Sequence, residues 1–154
     1  VLGILTADCA PIFIYDDANK FVCSLHSGWK GTLNNISKKA VKLFDKYNIR
    51  RENLNVIIGP CLGINNYEVD KDFEKKFINK NISYSNFFKN KNNNKSYFNL
   101  RGLINYQLTE LGLNKIYNVN KDTYSNKKLF FSHRRSTHKG GNTTGRLINL
   151  ISLT

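Results

Sequence analysis

Cys9 and His26 are the two side chains in this 154-residue chain whose types and settings best suit chemistry. Cys9 lies in Thr6-Ala7-Asp8-Cys9-Ala10-Pro11, and His26 opens His26-Ser27-Gly28-Trp29-Lys30-Gly31. A thiolate and an imidazole suit Zn²⁺ in a tetrahedral site with one open position, and copper accepts the same donors. The pair equally suits a cysteine nucleophile with a histidine base. Spacing alone does not choose between the two. Asp8, beside Cys9, is placed to position a ligand or a substrate.

Three further segments carry candidates. Gly28 and Gly31 allow close backbone approach at a strand-to-helix turn, where free N–H groups and Lys30 could receive an anion. Gly59-Pro60-Cys61-Leu62-Gly63 follows a strand, and such a turn often forms a pocket rim, which adds Cys61. Phe130-Phe131-Ser132-His133-Arg134-Arg135 runs into a Gly/Thr-rich turn ending at Arg146. Arginines there suit bidentate binding of phosphate or carboxylate. The plainer alternatives are tight structural turns and a solvated basic loop.

The elements that must position these residues follow from hydrophobic period. Gly3 to Asp8, Pro11 to Tyr15 and Lys20 to His26 read as short strands, with a turn over Asp16, Asp17, Ala18 and Asn19. Alternation puts Cys23 on one face of the third strand, as a core thiol, and His26 on the other. Leu33, Ile36, Ala40, Leu43, Phe44 and Tyr47 form one stripe, which predicts a helix over 32–47. Leu54 to Ile58 reads as a buried strand. Asp70 can cap a helix through about Ile78. The polar, Asn/Lys-rich stretch 79–96 reads as a mobile loop, although Tyr84, Phe87 and Phe88 ask for packing. A helix begins at Asn99 and closes at Gly112 as a left-handed cap. Residues 115–119, 129–132 and 147–153 are late strand candidates. Strands and helices alternate only partly, so a mixed sheet is expected rather than a regular parallel one. Neither repeat nor internal boundary is visible, so 1–154 reads as one domain.

Composition narrows the function classes. The formal net charge is +13. The lysines are scattered, and no stripe of basic and aromatic residues resembles a single-strand-binding platform. The charge therefore reads as an A/T-rich coding bias before it reads as a nucleic-acid surface, and no RNA-binding motif supports an RNA-binding module. The cysteines Cys9, Cys23 and Cys61 are odd in number and widely spaced, which favours reduced thiols and a cytoplasmic setting over a disulfide framework. No apolar stretch approaches the roughly 18 residues of a membrane-spanning helix. The chain starts inside an apolar run without Met, and reads as lacking upstream residues.

Taken in order, Thr-Ala-Asp-Cys-x-Pro, His-Ser-Gly-Trp-Lys-Gly, Gly-Pro-Cys-x-Gly with Tyr67-Glu68-Val69, Phe-Phe-Ser-His-Arg-Arg and Thr144-Gly145-Arg146 closely resemble one family. It is the laccase-domain purine nucleoside phosphorylase family, long labelled multicopper polyphenol oxidase, which also includes the bacterial peptidoglycan editing factor. The motifs run from Leu5 to Arg146. The resemblance implies an α/β fold layered as helix, sheet, sheet and helix (α/β/β/α, with mixed sheets), here without its N-terminal part. It implies a zinc site of two histidines and one cysteine. Cys9 matches the cysteine ligand and His26 the second histidine, while the first histidine belongs to an upstream Val-His-Gly motif that this chain lacks. Many relatives have cysteine where Asp122 stands.

The resemblance further implies phosphorolysis of adenosine, inosine, guanosine or methylthioadenosine, with adenosine deamination as a possible second activity. Phosphate then falls to Lys30, the Gly28–Gly31 backbone, Arg134, Arg135 and Arg146. The competing enzyme reading drops the metal and makes Cys9 and His26 a hydrolase pair acting in peptidoglycan precursor editing. A copper oxidase of the laccase type needs several His-rich clusters, and the three histidines of this chain cannot build them.

Overall fold

The computed structural model describes residues 1–18 and 20–153. Asn19, the last residue of the expected turn after the second strand, lies outside the described residues.

Strands β1 (Leu2–Thr6), β2 (Ala10–Asp16), β3 (Val22–Ser27) and β4 (Leu54–Ile58) form where the sequence alternates or runs apolar. With β8 (Lys115–Asn118), three of them build a mixed sheet in the order β3-β2-β4-β8. β2 is antiparallel to both neighbours, and β4 runs parallel to β8. Register places Ile12 opposite Ile58 and Ile14 opposite Val56, all completely buried on one face. Helices α2 (Ile36–Lys46) and α4 (Leu100–Glu110) supply Ala40, Val41, Phe44, Leu103, Ile104 and Leu108 to the same core. Each large aliphatic side chain buried there stabilises the fold by about 1.5–3 kcal/mol. β1 pairs with β9 (Leu147–Ile151) as an antiparallel ribbon lying close to β3.

The mixed α/β architecture agrees with the sequence reading, and three local readings need correction. The helix expected over 32–47 is two pieces, α1 (Trp29–Leu33) and α2. Asn35 breaks it by adopting a left-handed conformation, φ 47°, and its side chain then caps α2 by accepting from Lys38 N–H at 3.0 Å. The loop expected over 79–96 is a 3-10 segment, Ile82–Phe87, followed by a hairpin of β6 (Phe88–Asn92) and β7 (Lys95–Phe98). The hairpin joins β5 (Glu68–Asp70) in a second sheet, ordered β5-β7-β6. Its anchor is aromatic: Phe88 stacks on Phe98 at 4.8 Å, and Phe77 of α3 (Lys71–Lys80) meets Phe98 at 4.9 Å. Residues 129–132 form no strand. They lead into α5 (His133–His138), which Ser132 caps by accepting from Arg135 N–H.

Other expectations hold. Asp70 caps α3 through Phe73 N–H at 2.7 Å. Asn99 caps α4 through Gly102 N–H. Gly112, at φ 78°, takes the left-handed conformation that ends α4. Among the described residues no helix is long and apolar enough to cross a membrane.

Candidate functional site

Asp8 organises the centre. It links β1 to β2 at φ 85°, a conformation a non-glycine residue holds only when its surroundings impose it. Here they do. The Thr123 hydroxyl donates to Asp8 Oδ1 at 2.6 Å, Arg134 N–H donates to Oδ2 at 2.7 Å, and Leu62 N–H donates to the Asp8 carbonyl at 2.9 Å. One buried carboxylate thus gathers the turn after β4, the 120s segment and the start of α5 around Cys9. Both of its oxygens already serve protein donors, so its clearest task is positioning.

Cys9 and His26 share a face of the main sheet. Ala10 pairs with Ser27 and Pro11 with His26, so Cys9 and His26 are on diagonal positions of adjacent strands. Cys9 Sγ lies against Gly28, where a β-carbon would come within 2.6 Å of the sulfur. Burial pushes the Cys9 thiol up, the Asp8 carboxylate adds to this, and Arg146 draws it partly back. His26 is exposed.

A cavity of about 500 Å³ opens beside the sulfur. Asp8 and Cys9 line it, with Trp29 of α1, Tyr67 before β5, Phe73 of α3, Lys95 of β7 and Arg134 of α5. Arg134 is oriented by donating to Glu68 O at 2.8 Å, and its guanidinium lies 5.4 Å from the centre of the Tyr67 ring. Burial holds the Tyr67 phenol well above its usual range, so it stays protonated. A groove of about 530 Å³ between the start of α3 and the Asn93–Asn94 turn contains none of the candidates.

The other candidates separate. Lys30 is exposed, with its ammonium 5.4 Å from the centre of the Trp29 ring at the cavity wall. Gly28 is the N-cap of α1 and lies at the sulfur. Arg146 acts on Cys9 electrostatically, although Nη1 is engaged with Thr144 O and Gly145 O. Arg135 does not reach the cavity lining. Its guanidinium donates to Thr123 O, Tyr124 O and Phe130 O, which ties the 120s segment to α5. Cys61 is 1% exposed and bridges in parallel to Asp122, so it packs in the core and offers no substrate contact. Burial pushes its thiol up to about 11.

Sequence reasoning missed Phe73 and Lys95. Both come from the α3 and hairpin region, where the alternation of buried Ser96 and Phe98 with Lys95 and Tyr97 was the available signal.

For a zinc ion, the donor chemistry fits in part. A thiolate and an imidazole on one sheet face are suitable ligands, but among the described residues no three His, Cys, Asp or Glu side chains are gathered to hold a metal.

Comparison with known proteins identifies the family and the fold. The family model described as "Multi-copper polyphenol oxidoreductase laccase" matches residues 1–154. A protein of Rickettsia prowazekii named purine nucleoside phosphorylase is 36% identical over 140 residues, 90% of this chain and 57% of that protein. One of Staphylococcus epidermidis with the same name is 31% identical over 153 residues, 98% of this chain and 55% of that protein. The crystal structure of YlmD from Geobacillus stearothermophilus superposes with a TM-score of 0.84 at 26% identity, covering 96% of this chain and 54% of that one. The chain therefore spans somewhat more than half the length of these relatives.

Proposed function

The chain belongs to the multi-copper polyphenol oxidoreductase laccase family, and from that premise we propose that its Cys9 cavity binds a purine nucleoside and phosphate and catalyses phosphorolysis in the cytoplasm. The observation that carries this reading is one cavity of ligand size in which a thiol, an oriented arginine and aromatic rings converge. The name shared by the Rickettsia and Staphylococcus relatives supports the substrate class.

In phosphorolysis a phosphate oxygen bonds to the anomeric carbon as the glycosidic C–N bond breaks. The bonding pair leaves with the base, which gains a proton, and the products are free base and ribose 1-phosphate. Positive charge develops on the sugar, so the anion must be held close to that carbon. Arg134 is the cavity's positioned cation, and Lys95 adds a second positive charge to its wall. Arg146 and Lys30 extend the positive field around the sulfur and the rim. The Tyr67 phenol, kept protonated by burial, is suited to donate a hydrogen bond rather than to act as a base.

Cys9 and His26 would hold a zinc or copper ion as two of its ligands. Such an ion supplies Lewis acidity and a water of lowered pKa. Adenosine deamination would instead need water to add at C6 of the adenine ring and expel ammonia, leaving the glycosidic bond intact. Release of free base from inosine or adenosine, followed with and without phosphate, tests the proposal. Phosphate-dependent release supports it, and ammonia without base release supports deamination alone.

A second reading keeps Cys9 as the nucleophile of a hydrolase. His133 lines the same cavity, which favours it, but burial and Asp8 keep the sulfur protonated, which disfavours it. Loss of activity on thiol alkylation in metal-free protein would select it.

A further inference from the structure

The aromatic wall of the cavity is uneven in what it leaves free. Tyr67 has the Arg134 guanidinium over its ring at 5.4 Å and the edge of Phe98 against it at 5.2 Å, so both neighbours are in place without a ligand. Phe73 is wedged among the core rings, within 5.1 Å of Phe77 and 5.4 Å of Phe98. Trp29 differs. It is half-buried, with Phe73 at 5.4 Å on its core side and the ammonium groups of Lys30 and Lys76 over its ring at 5.4 and 5.8 Å. Those groups ride on flexible stems and retreat into water at little cost. Trp29 is also joined to the reacting centre through Gly28, against which the Cys9 sulfur lies.

We infer that Trp29 is the platform on which the planar base of the substrate stacks, with the sugar directed toward Cys9 and Arg134. The inference rests on the phosphorylase reading for the identity of the base, but the platform itself would accept any planar heterocycle of purine size. The hydrophobic backing from Phe73 fixes the indole, and displacement of two ammonium groups exposes its face. Lys30 and Lys76 remain at the rim of the bound base, where they meet its polar edge. Stacking of this kind is indifferent to the exocyclic groups of the base, since every purine presents the same flat surface.

Trp29 is the chain's single tryptophan, so its emission reports on this wall alone. Hypoxanthine, adenine, ribose and inorganic phosphate are titrated separately into the full chain, with excitation at the red edge of indole absorption. The expected result is saturable quenching by both bases and none by ribose or phosphate. In parallel, equilibrium dialysis of hypoxanthine should show Trp29→Leu binding it roughly tenfold or more weakly, with most of the affinity kept by Trp29→Phe. If Trp29→Leu does not fold, the quenching and Trp29→Phe still decide. Phosphate-dependent turnover without quenching by any base overturns the platform and leaves the phosphorylase reading intact. Quenching by bases without turnover keeps the platform and removes the phosphorylase reading. Quenching by phosphate alone overturns the platform in favour of an anion site between Lys30 and Lys76.

Discussion

The sulfur of Cys9 rests on the bare Cα of Gly28, so near that an added β-carbon would sit 2.6 Å from it. A methyl group there forces Cys9 to rotate about its own side-chain bond. Gly28→Ala is expected to cost about 1–3 kcal/mol of stability as a local overpacking. On the proposed reading activity falls at least tenfold, because the displaced sulfur lines the substrate cavity. Thermal unfolding and base release, measured on the same sample, check the two effects. Unchanged turnover would mean that the position of the sulfur is immaterial.

Asp8 should matter chiefly through what it holds. Asp8→Asn can keep an acceptor for Arg134 N–H and reverse the Thr123 bond, with the amide donating to the hydroxyl, so what is lost is the negative charge behind both bonds. A loss of about 1–2 kcal/mol is expected, because charge-assisted bonds are roughly twice as strong as neutral ones. Denaturant unfolding measures it. The pH profile of any residual activity should keep its shape if Asp8 positions rather than transfers protons.

Thiol reactivity should be ordered by burial. Cys9 borders the cavity with its thiol pushed up by burial and by Asp8, whereas Cys61 is 1% exposed with its thiol near 11. Only the thiolate reacts, so alkylation of Cys9 should be slow at neutral pH and accelerate into the alkaline range. Cys61 should react only after unfolding. Peptide mass spectrometry of the native protein reads the order, and modification of Cys61 before Cys9 would contradict the arrangement.

Asp122 sets an acid limit. Burial pushes its carboxyl up, but hydrogen bonds from Gly63 N–H, the Ser125 hydroxyl, Tyr124 N–H and Asn66 together bring it below the ordinary value. A carboxylate lowered in the folded state contributes stability in full above the unfolded pKa, about 3.9, and loses it as pH falls through the lower folded value. Asp122→Asn should cost about 1 kcal/mol at neutral pH, after allowance for solvent screening of a partly exposed group, and should reduce the loss of stability below pH 4. Urea unfolding at neutral and acid pH distinguishes this from a variant with an unchanged acid limit.

Much of the architecture was legible because period and caps agreed. The apolar alternation of β2, the Asp70 and Asn99 caps and the left-handed Gly112 each have a local cause. The hairpin over 88–98 was hidden because its exposed positions are Asn and Lys, which resemble a loop, while its stability comes from Phe77, Phe88 and Phe98 meeting across distant segments. The site divided in the same way. Cys9 and Arg134 were visible as motif residues. The seating of Asp8 depends on Thr123 and Arg134, each more than a hundred residues away, and on Leu62 of the turn after β4. Cys61 is withdrawn by burial, and Arg135 by the carbonyls of Thr123, Tyr124 and Phe130 folding back on it.

The most direct test of the Cys9 cavity as a phosphorylase centre is phosphorus NMR of inosine and inorganic phosphate incubated with the protein, beside a Cys9→Ala sample. The expected result is a growing ribose 1-phosphate signal, matched by hypoxanthine release and lost in Cys9→Ala. Hypoxanthine release with no sugar phosphate, or a signal undiminished in Cys9→Ala, would contradict it.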